Sequence, residues 1–169
     1  RGGRLVVQEP GEKLRRIDFG QGEVETARIT WGDVFTAFHS TGIGEIEVYA
    51  ALPPAVRRQM ALMRRLRPLF SLAPMRALLK RGVKPGPSAE ARARTTTHVW
   101  GEVRDAQGQR AVSRLNGPEA GLVWTTRAAL AAVRRVLAGE APPGYQTPGK
   151  VFGADFVLEC EGVTREDVP

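Results

Sequence analysis

The stretch that decides the expected fold runs Glu23-Val-Glu-Thr-Ala-Arg-Ile-Thr-Trp-Gly-Asp-Val-Phe-Thr-Ala-Phe-His-Ser-Thr-Gly42. Its first half alternates as a strand does, which places Ala27, Ile29 and Trp31 on one face. Its second half predicts a short helix, because Asp33 is a favourable N-cap and Gly42 a favourable helix stop. A strand that runs directly into a helix indicates a chain in which the two kinds of element are mixed.

Turns that contain glycine predict two β-hairpins, since glycine allows the positive φ that tight connections need. The first hairpin joins 13–19 to 23–31 through Gly20-Gln21-Gly22. The second joins 95–105 to 109–115 through Ala106-Gln107-Gly108. Further strands are predicted at 4–8, 46–52 and 151–160.

A long helix is predicted from Asn116-Gly117-Pro118-Glu119 to Gly139, because proline suits the first helical position and glutamate the first turn. Its buried stripe should consist of Leu122, Thr126, Leu130, Val133 and Leu137. Hairpins with helices inserted between them indicate a single α+β domain. We expect a mostly antiparallel or mixed sheet covered by helices over residues 1–169.

The composition fits one globular domain. The chain has 169 residues, 42% of them hydrophobic and 25% charged, and no run approaches the roughly 18 apolar residues of a membrane span. Cys160 is the only cysteine, and the two histidines, His39 and His98, stand far apart. We therefore expect no disulfide, no metal site and a cytoplasmic location. The opening residues, which lack a Met, read as part of a longer protein.

The net charge of +7 is concentrated in one segment. Nine of the 25 basic residues, and no acidic residue, lie between Arg57 and Lys84, which leaves the rest of the chain close to neutral. A helix from Pro54, kinked at Pro68, and a second over 74–80 are predicted here. This segment fits either a solvated amphipathic helix pair or a surface for an anionic membrane or nucleic acid. It has little aromatic interleaving and no nucleic-acid-binding motif, so the first interpretation is favoured.

Two segments carry candidate binding residues. Polar and aromatic groups crowd the short helix, whose free first-turn amides would suit an anionic group. The loop 144–148 enters a strand and can place side chains at the edge of a cleft. The substrate-binding candidates are Trp31, Asp33, His39, Ser40, Thr41, Tyr145 and Thr147. For any one of them a purely structural role, such as capping, is the competing interpretation.

The usual cofactor and catalytic motifs do not occur in the sequence. Gly20-Gln21-Gly22 lies in a hairpin and lacks a third glycine at the required place, so it is no dinucleotide fingerprint. No phosphate-binding loop of the Gly-x-x-x-x-Gly-Lys type, Gly-x-Ser-x-Gly elbow or His-Glu-x-x-His motif is present. The sequence therefore predicts no cofactor site in this chain and identifies no catalytic residue.

Five short stretches together resemble the C-terminal half of bacterial saccharopine dehydrogenase-like oxidoreductases. They are Ile29-Thr-Trp-Gly-Asp-Val, Phe38-His-Ser-Thr-Gly-Ile43, Ile46-Glu-Val-Tyr49, Trp100-Gly-Glu-Val-Arg-Asp105 and Gly144-Tyr-Gln-Thr-Pro148. The resemblance extends from Gly2 to Val163. In that family an N-terminal Rossmann domain is joined to an α+β domain that closes over the nicotinamide and commonly supports dimerisation.

The resemblance implies that the parent protein is an NAD- or NADP-dependent oxidoreductase. This chain would be its substrate-side and dimerisation domain, inactive alone, with the parent's Rossmann domain and a second copy as partners. Nucleic acid would not be a partner, and residues 57–84 would touch an anionic membrane only weakly. The alternatives are a basic module for anionic lipid or nucleic acid, and a purely structural dimerisation domain.

Overall fold

Six strands form two separate antiparallel sheets in the computed structural model, which describes residues 1–8, 11, 13–66 and 86–168. In the first sheet β2 lies between β1 and β3, and in the second β5 lies between β4 and β6. The strands are β1 (Leu14–Asp18), β2 (Glu23–Ile29), β3 (Val48–Ala50), β4 (Thr96–Arg104), β5 (Arg110–Pro118) and β6 (Thr164–Val168).

Helices join and cover these sheets, so the chain is a single small α+β domain, as predicted. A π-helical turn (Ala120–Trp124) precedes α4, and a 3-10 turn (Ala154–Glu159) precedes β6. The α-helices of the described residues are α1 (Asp33–Thr41), α2 (Pro54–Arg65), α3 (Ala89–Ala93), α4 (Thr125–Leu137) and α5 (Pro148–Val151). No helix within the described ranges is both long enough and apolar enough to cross a bilayer.

Both predicted hairpins are confirmed. In the first, Asp18 pairs with Glu23, and Gly20 and Gly22 have φ of 101° and 98°, which a residue with a side chain rarely adopts. Gly108 has φ of 83° in the second turn. The two predicted arms of each hairpin are therefore adjacent strands.

The core of the second sheet lies where β5 meets the π-helical turn. Trp124, Cys160 and Val163 are buried together there. A Cβ atom at Gly117 would lie 2.8 Å from the Trp124 ring, so this position on β5 requires glycine.

The first and second sheets are joined mainly by charged side chains. The guanidinium Nη2 of Arg15 on β1 donates to both carboxylate oxygens of Glu102 on β4, at 3.0 and 3.1 Å. Arg114 on β5 donates to Asp18 at the end of β1, at 3.0 Å. Arg15 also lies 4.7 Å from the centre of the Trp100 ring, a favourable cation–π contact.

The predicted buried stripe of the long helix is wrong. Trp124 and Ala128, one turn apart, face the core and so fix the rotation of α4. The larger apolar residues consequently lie on the opposite side, with exposed fractions of 52% for Leu122, Leu130 and Val133 and 82% for Leu137; Thr126 is exposed too.

Three predicted strands and one helix start also need correction. Residues 4–8 form no strand, and 46–52 is reduced to β3, because only three residues of β2 pair with it. Residues 154–159 form a 3-10 turn instead of a strand, since Phe156 and Cys160 are buried at helical spacing. Pro118 ends β5 and does not begin a helix; the helical region starts after Glu119. The helix predicted over 74–80 lies outside the described residues.

Candidate functional site

Helix α1 carries most of the candidate residues, and its end is confirmed. Gly42 has φ of 72° and its amide donates to the Phe38 carbonyl at 2.8 Å, which closes the last turn. His39 stands one turn after Phe35, and the centres of their rings are 4.4 Å apart. The rings of Phe35 and Phe38 on α1 therefore both pack against the imidazole of His39.

A hydroxyl pair joins α1 to the start of α5. The Oγ of Ser40 and the Oγ1 of Thr147 lie 2.6 Å apart, although 107 positions separate them in sequence. Ser40 donates its proton to the Thr36 carbonyl at 2.8 Å, and a hydroxyl has only one proton, so Thr147 donates to Ser40. Thr147 is 8% exposed, so the two predicted segments meet through a nearly buried contact.

An aromatic contact lies beside that pair. The rings of His39 and Tyr145 are edge to face, with centres 5.6 Å apart. Tyr145 is 63% exposed and His39 is also exposed. Neither side chain forms a hydrogen bond within the described part of the chain, so both offer polar groups to a ligand.

The start of α1 differs from the prediction. Gly32, not Asp33, is the N-cap residue, and no side chain caps this end. The amides of Val34, Phe35 and Thr36 already donate to the carbonyls of Trp31 and Gly32, so they are not free for an anion. The backbone satisfies these donors itself, which leaves the Asp33 carboxylate without a hydrogen bond to any described residue.

Trp31 and Thr41 stand apart from the contact between α1 and α5. Trp31 follows β2 and is 63% exposed, with no ring contact among the described residues. The Thr41 hydroxyl donates to the Ala37 carbonyl at 2.7 Å and accepts from the Ile43 amide at 3.2 Å. Thr41 therefore serves the helix end, and the candidate residues that meet at the contact between α1 and α5 are His39, Ser40, Tyr145 and Thr147.

A cavity of about 420 Å³ lies on the other side of His39. Its walls come from the beginning of the chain, from α1 and from the segment before β3, and include Leu5, Val34, Phe35, Phe38 and Ile46. Arg1 and Arg4 also line it. This cavity could not be predicted from the sequence, because segments that are distant along the chain build its walls and the pattern of 4–8 predicts a strand.

Other charged clusters are occupied by their own partners. Hydrogen bonds from Arg104 and Arg15 hold the pKa of the Glu102 carboxyl below its usual range, although burial alone would raise it. Burial would raise the pKa of Glu47, but hydrogen bonds from Lys13, Tyr49 and Arg28 lower it to about 2. Both carboxylates are thus satisfied structural groups.

Backbone amides that could hold a phosphate group are occupied at two helix starts and at one glycine turn. Gly20-Gln21-Gly22 is a hairpin turn, and the first amides of α1 are occupied. The Glu119 carboxylate accepts from the amides of Gly121, Leu122 and Val123, so the amides at the helical start after β5 are occupied as well. Neither helix start offers free amides to a diphosphate.

Most of the basic segment 57–84 lies outside the described residues. Within α2, Arg57 pairs with Glu25 of β2, so at least this guanidinium has a partner in the fold.

Comparisons of the chain with protein-family models, with curated proteins and with solved structures find no match.

Proposed function

We propose that this chain is the substrate-side domain of an NAD- or NADP-dependent oxidoreductase of the saccharopine dehydrogenase-like type. The observation that carries the proposal is the junction of α1 with α5. Ser40 and Thr147 hold the two segments together at 2.6 Å, and the exposed rings of His39 and Tyr145 stand beside them. Both segments belong to the stretches that carry the family resemblance.

Each residue has a separate task in this proposal. The Ser40–Thr147 bond is a positioning contact, because both hydroxyls are directed towards groups of the protein. His39 and Tyr145 would contact substrate, since both side chains are exposed and form no hydrogen bond with a described residue. Nicotinamide chemistry would come from a Rossmann domain of the parent protein, and the present chain would orient substrate and exclude water.

The parent protein provides the test. Its coding sequence should contain a strand–Gly-x-Gly-x-x-Gly–helix unit before the residue corresponding to Arg1, and the purified parent should oxidise NADH or NADPH with substrate. A parent without that unit would overturn the proposal. The present chain alone should neither bind nor oxidise the nicotinamide cofactor.

We predict that His39→Ala and Thr147→Ala in the parent raise the KM for substrate about tenfold, with the cofactor KM and the fold retained. Thr126→Ala, an exposed threonine on α4, is the matched control and should leave both constants unchanged. Steady-state kinetics and circular dichroism measure these effects. Unchanged kinetics in both site variants would assign the two residues to structure alone.

A second candidate function, pairing of subunits, is favoured by the outer face of α4. Leu130, Val133 and Leu137 form an apolar stripe without a partner among the described residues. A homodimer would cover such a stripe. Sedimentation equilibrium tests dimerisation, and a monomer at all concentrations would count against it.

Binding of anionic lipid or nucleic acid through 57–84 is the remaining alternative, tested by vesicle and DNA binding across a salt series.

A further inference from the structure

The cavity beside α1 is built by close backbone contacts. The Gly3 amide donates to the Gly44 carbonyl at 3.1 Å, and the Gly2 amide donates to the Glu45 carboxylate at 2.6 Å. A Cβ atom at Gly3 would lie 3.0 Å from the Phe38 ring. The glycines therefore let the first segment lie against α1, and this contact forms one wall.

The walls are apolar although they are open to solvent. Leu5 is 71% exposed and Phe35 46% exposed, and both face the same concave region with Phe38 and Ile46. Exposed apolar residues gathered around a concavity are typical of a site that an apolar group fills. The cavity volume of about 420 Å³ corresponds to about fourteen heavy atoms, if each takes about 30 Å³ as water does, so it has room for the twelve of a ten-carbon carboxylate.

Positive charge lies at the rim of these apolar walls. Arg1 and Arg4 line the cavity, and neither guanidinium has an ion-pair partner in the described ranges. The nearby Glu45 carboxylate does not line the cavity and accepts from the Gly2 amide. An apolar pocket with a cationic rim is complementary to a molecule that joins an aliphatic chain to one negative charge.

We propose that this cavity binds an unbranched aliphatic carboxylate of about ten carbons, with the chain against Phe35 and Phe38 and the carboxylate at Arg4. The inference rests on the proposed function in one respect: the bound acid would be the non-reacting part of the substrate. His39 lines this cavity and contacts Tyr145, so it connects the cavity to the contact between α1 and α5.

The test is titration of the ¹⁵N-labelled chain with sodium decanoate below its micelle concentration, followed by amide chemical shifts. We expect saturable shifts concentrated in residues 34–46. Butanoate should bind at least tenfold more weakly because it fills little of the cavity, and decanol at least tenfold more weakly because it lacks the charge. Equal binding of decanol and decanoate would overturn the role of Arg4 and with it the proposal.

Variants separate this cavity from a second one. Val34→Trp should fill the cavity and weaken decanoate binding at least tenfold, and Arg4→Glu should weaken decanoate without affecting decanol. If Val34→Trp does not fold, Ile46→Phe serves the same purpose. Val99→Trp is the control, because Val99 lines a different cavity of about 470 Å³ on the β4–β5–β6 sheet. Shifts that follow Val99→Trp instead, or that never saturate, would overturn the proposal.

The experiment also distinguishes the two proposals from each other. Decanoate binding is measured on this chain without any cofactor, so its failure leaves oxidation of NADH or NADPH by the parent unaffected. Conversely, a parent without oxidoreductase activity would not alter a saturable binding constant for decanoate.

Discussion

The contact between the sheets and the segment around α1 use polar residues in opposite ways. Between the sheets, Arg15 meets Glu102, and Arg114 meets Asp18, so nearly every charge has a partner. Around α1, Asp33 and His39 form no hydrogen bond with any described residue. Both regions contain charged and polar residues in the sequence. The difference teaches how two kinds of polar residue can be told apart. A polar side chain that has a hydrogen-bonding partner in the protein stabilises the fold, and one without such a partner is available to a ligand.

The largest expected effect comes from removing a carboxylate between the sheets. The Glu102 side chain is 6% exposed and contacts Arg15, Arg104 and Arg110. We predict that Glu102→Ala lowers the free energy of unfolding by about 2 kcal/mol, because it leaves Arg15 without its carboxylate partner. Urea denaturation measures the loss.

Asp33→Ala is the matched control for that prediction, since it removes a carboxylate from the α1 region. It should leave the urea midpoint unchanged, because no described group depends on Asp33. If both variants lost stability equally, the contrast between the two regions would be wrong.

A smaller effect is expected where α1 meets α5. In a double-mutant cycle of Ser40→Ala and Thr147→Val, the coupling free energy should be about 1 kcal/mol, the usual size of a partly buried neutral hydrogen bond. The cycle is measured by thermal or urea unfolding of the wild type, both single variants and the double variant. Strict additivity would mean that the 2.6 Å contact does not stabilise the fold.

The last effect is a dependence on pH, which is discounted because Glu47 is exposed and water screens its charge. Hydrogen bonds from Lys13 and Tyr49 lower the folded-state pKa of Glu47 to about 2 from 4.5, so its contribution to stability is present above pH 4.5 and is lost as the pH falls towards 2. Glu47→Gln should therefore be less stable than the wild type at neutral pH. The difference between them should close between about pH 4.5 and 2, as urea midpoints at several pH values would show. A constant difference across that range would contradict the assignment.

Local signals in the sequence predict the hairpins and the end of α1 correctly. Gly20, Gly22 and Gly42 mark backbone conformations that depend on a few neighbouring residues. The rotation of α4 could not be predicted, because the contact of Trp124 with Gly117 sets it. The face with the larger apolar residues Leu130, Val133 and Leu137 has the pattern of a buried stripe, yet it lies outward. The prediction that Asp33 caps α1 is wrong, because the first amides of the helix donate to the backbone carbonyls of Trp31 and Gly32.

The candidate site was predicted in part. Both of its segments were recognised, but neither the bond between Ser40 and Thr147 nor the cavity beside Phe38 could be read from the sequence. Each depends on segments that are distant along the chain and meet only after the sheets form. The residue types indicate which side chains are able to bind a ligand. The structure shows that three of these candidates, Trp31, Asp33 and Thr41, do not take part in the contact between α1 and α5.

The burial of Trp124 against Gly117 gives the protein a built-in set of optical reporters. The three tryptophans occupy three environments: Trp124 is 8% exposed, Trp100 lies beneath a guanidinium, and Trp31 is 63% exposed next to α1. Buried indole fluoresces at shorter wavelength than indole in water. The red edge of the emission should therefore follow events near α1, while the blue edge follows the integrity of the second sheet, without any added label.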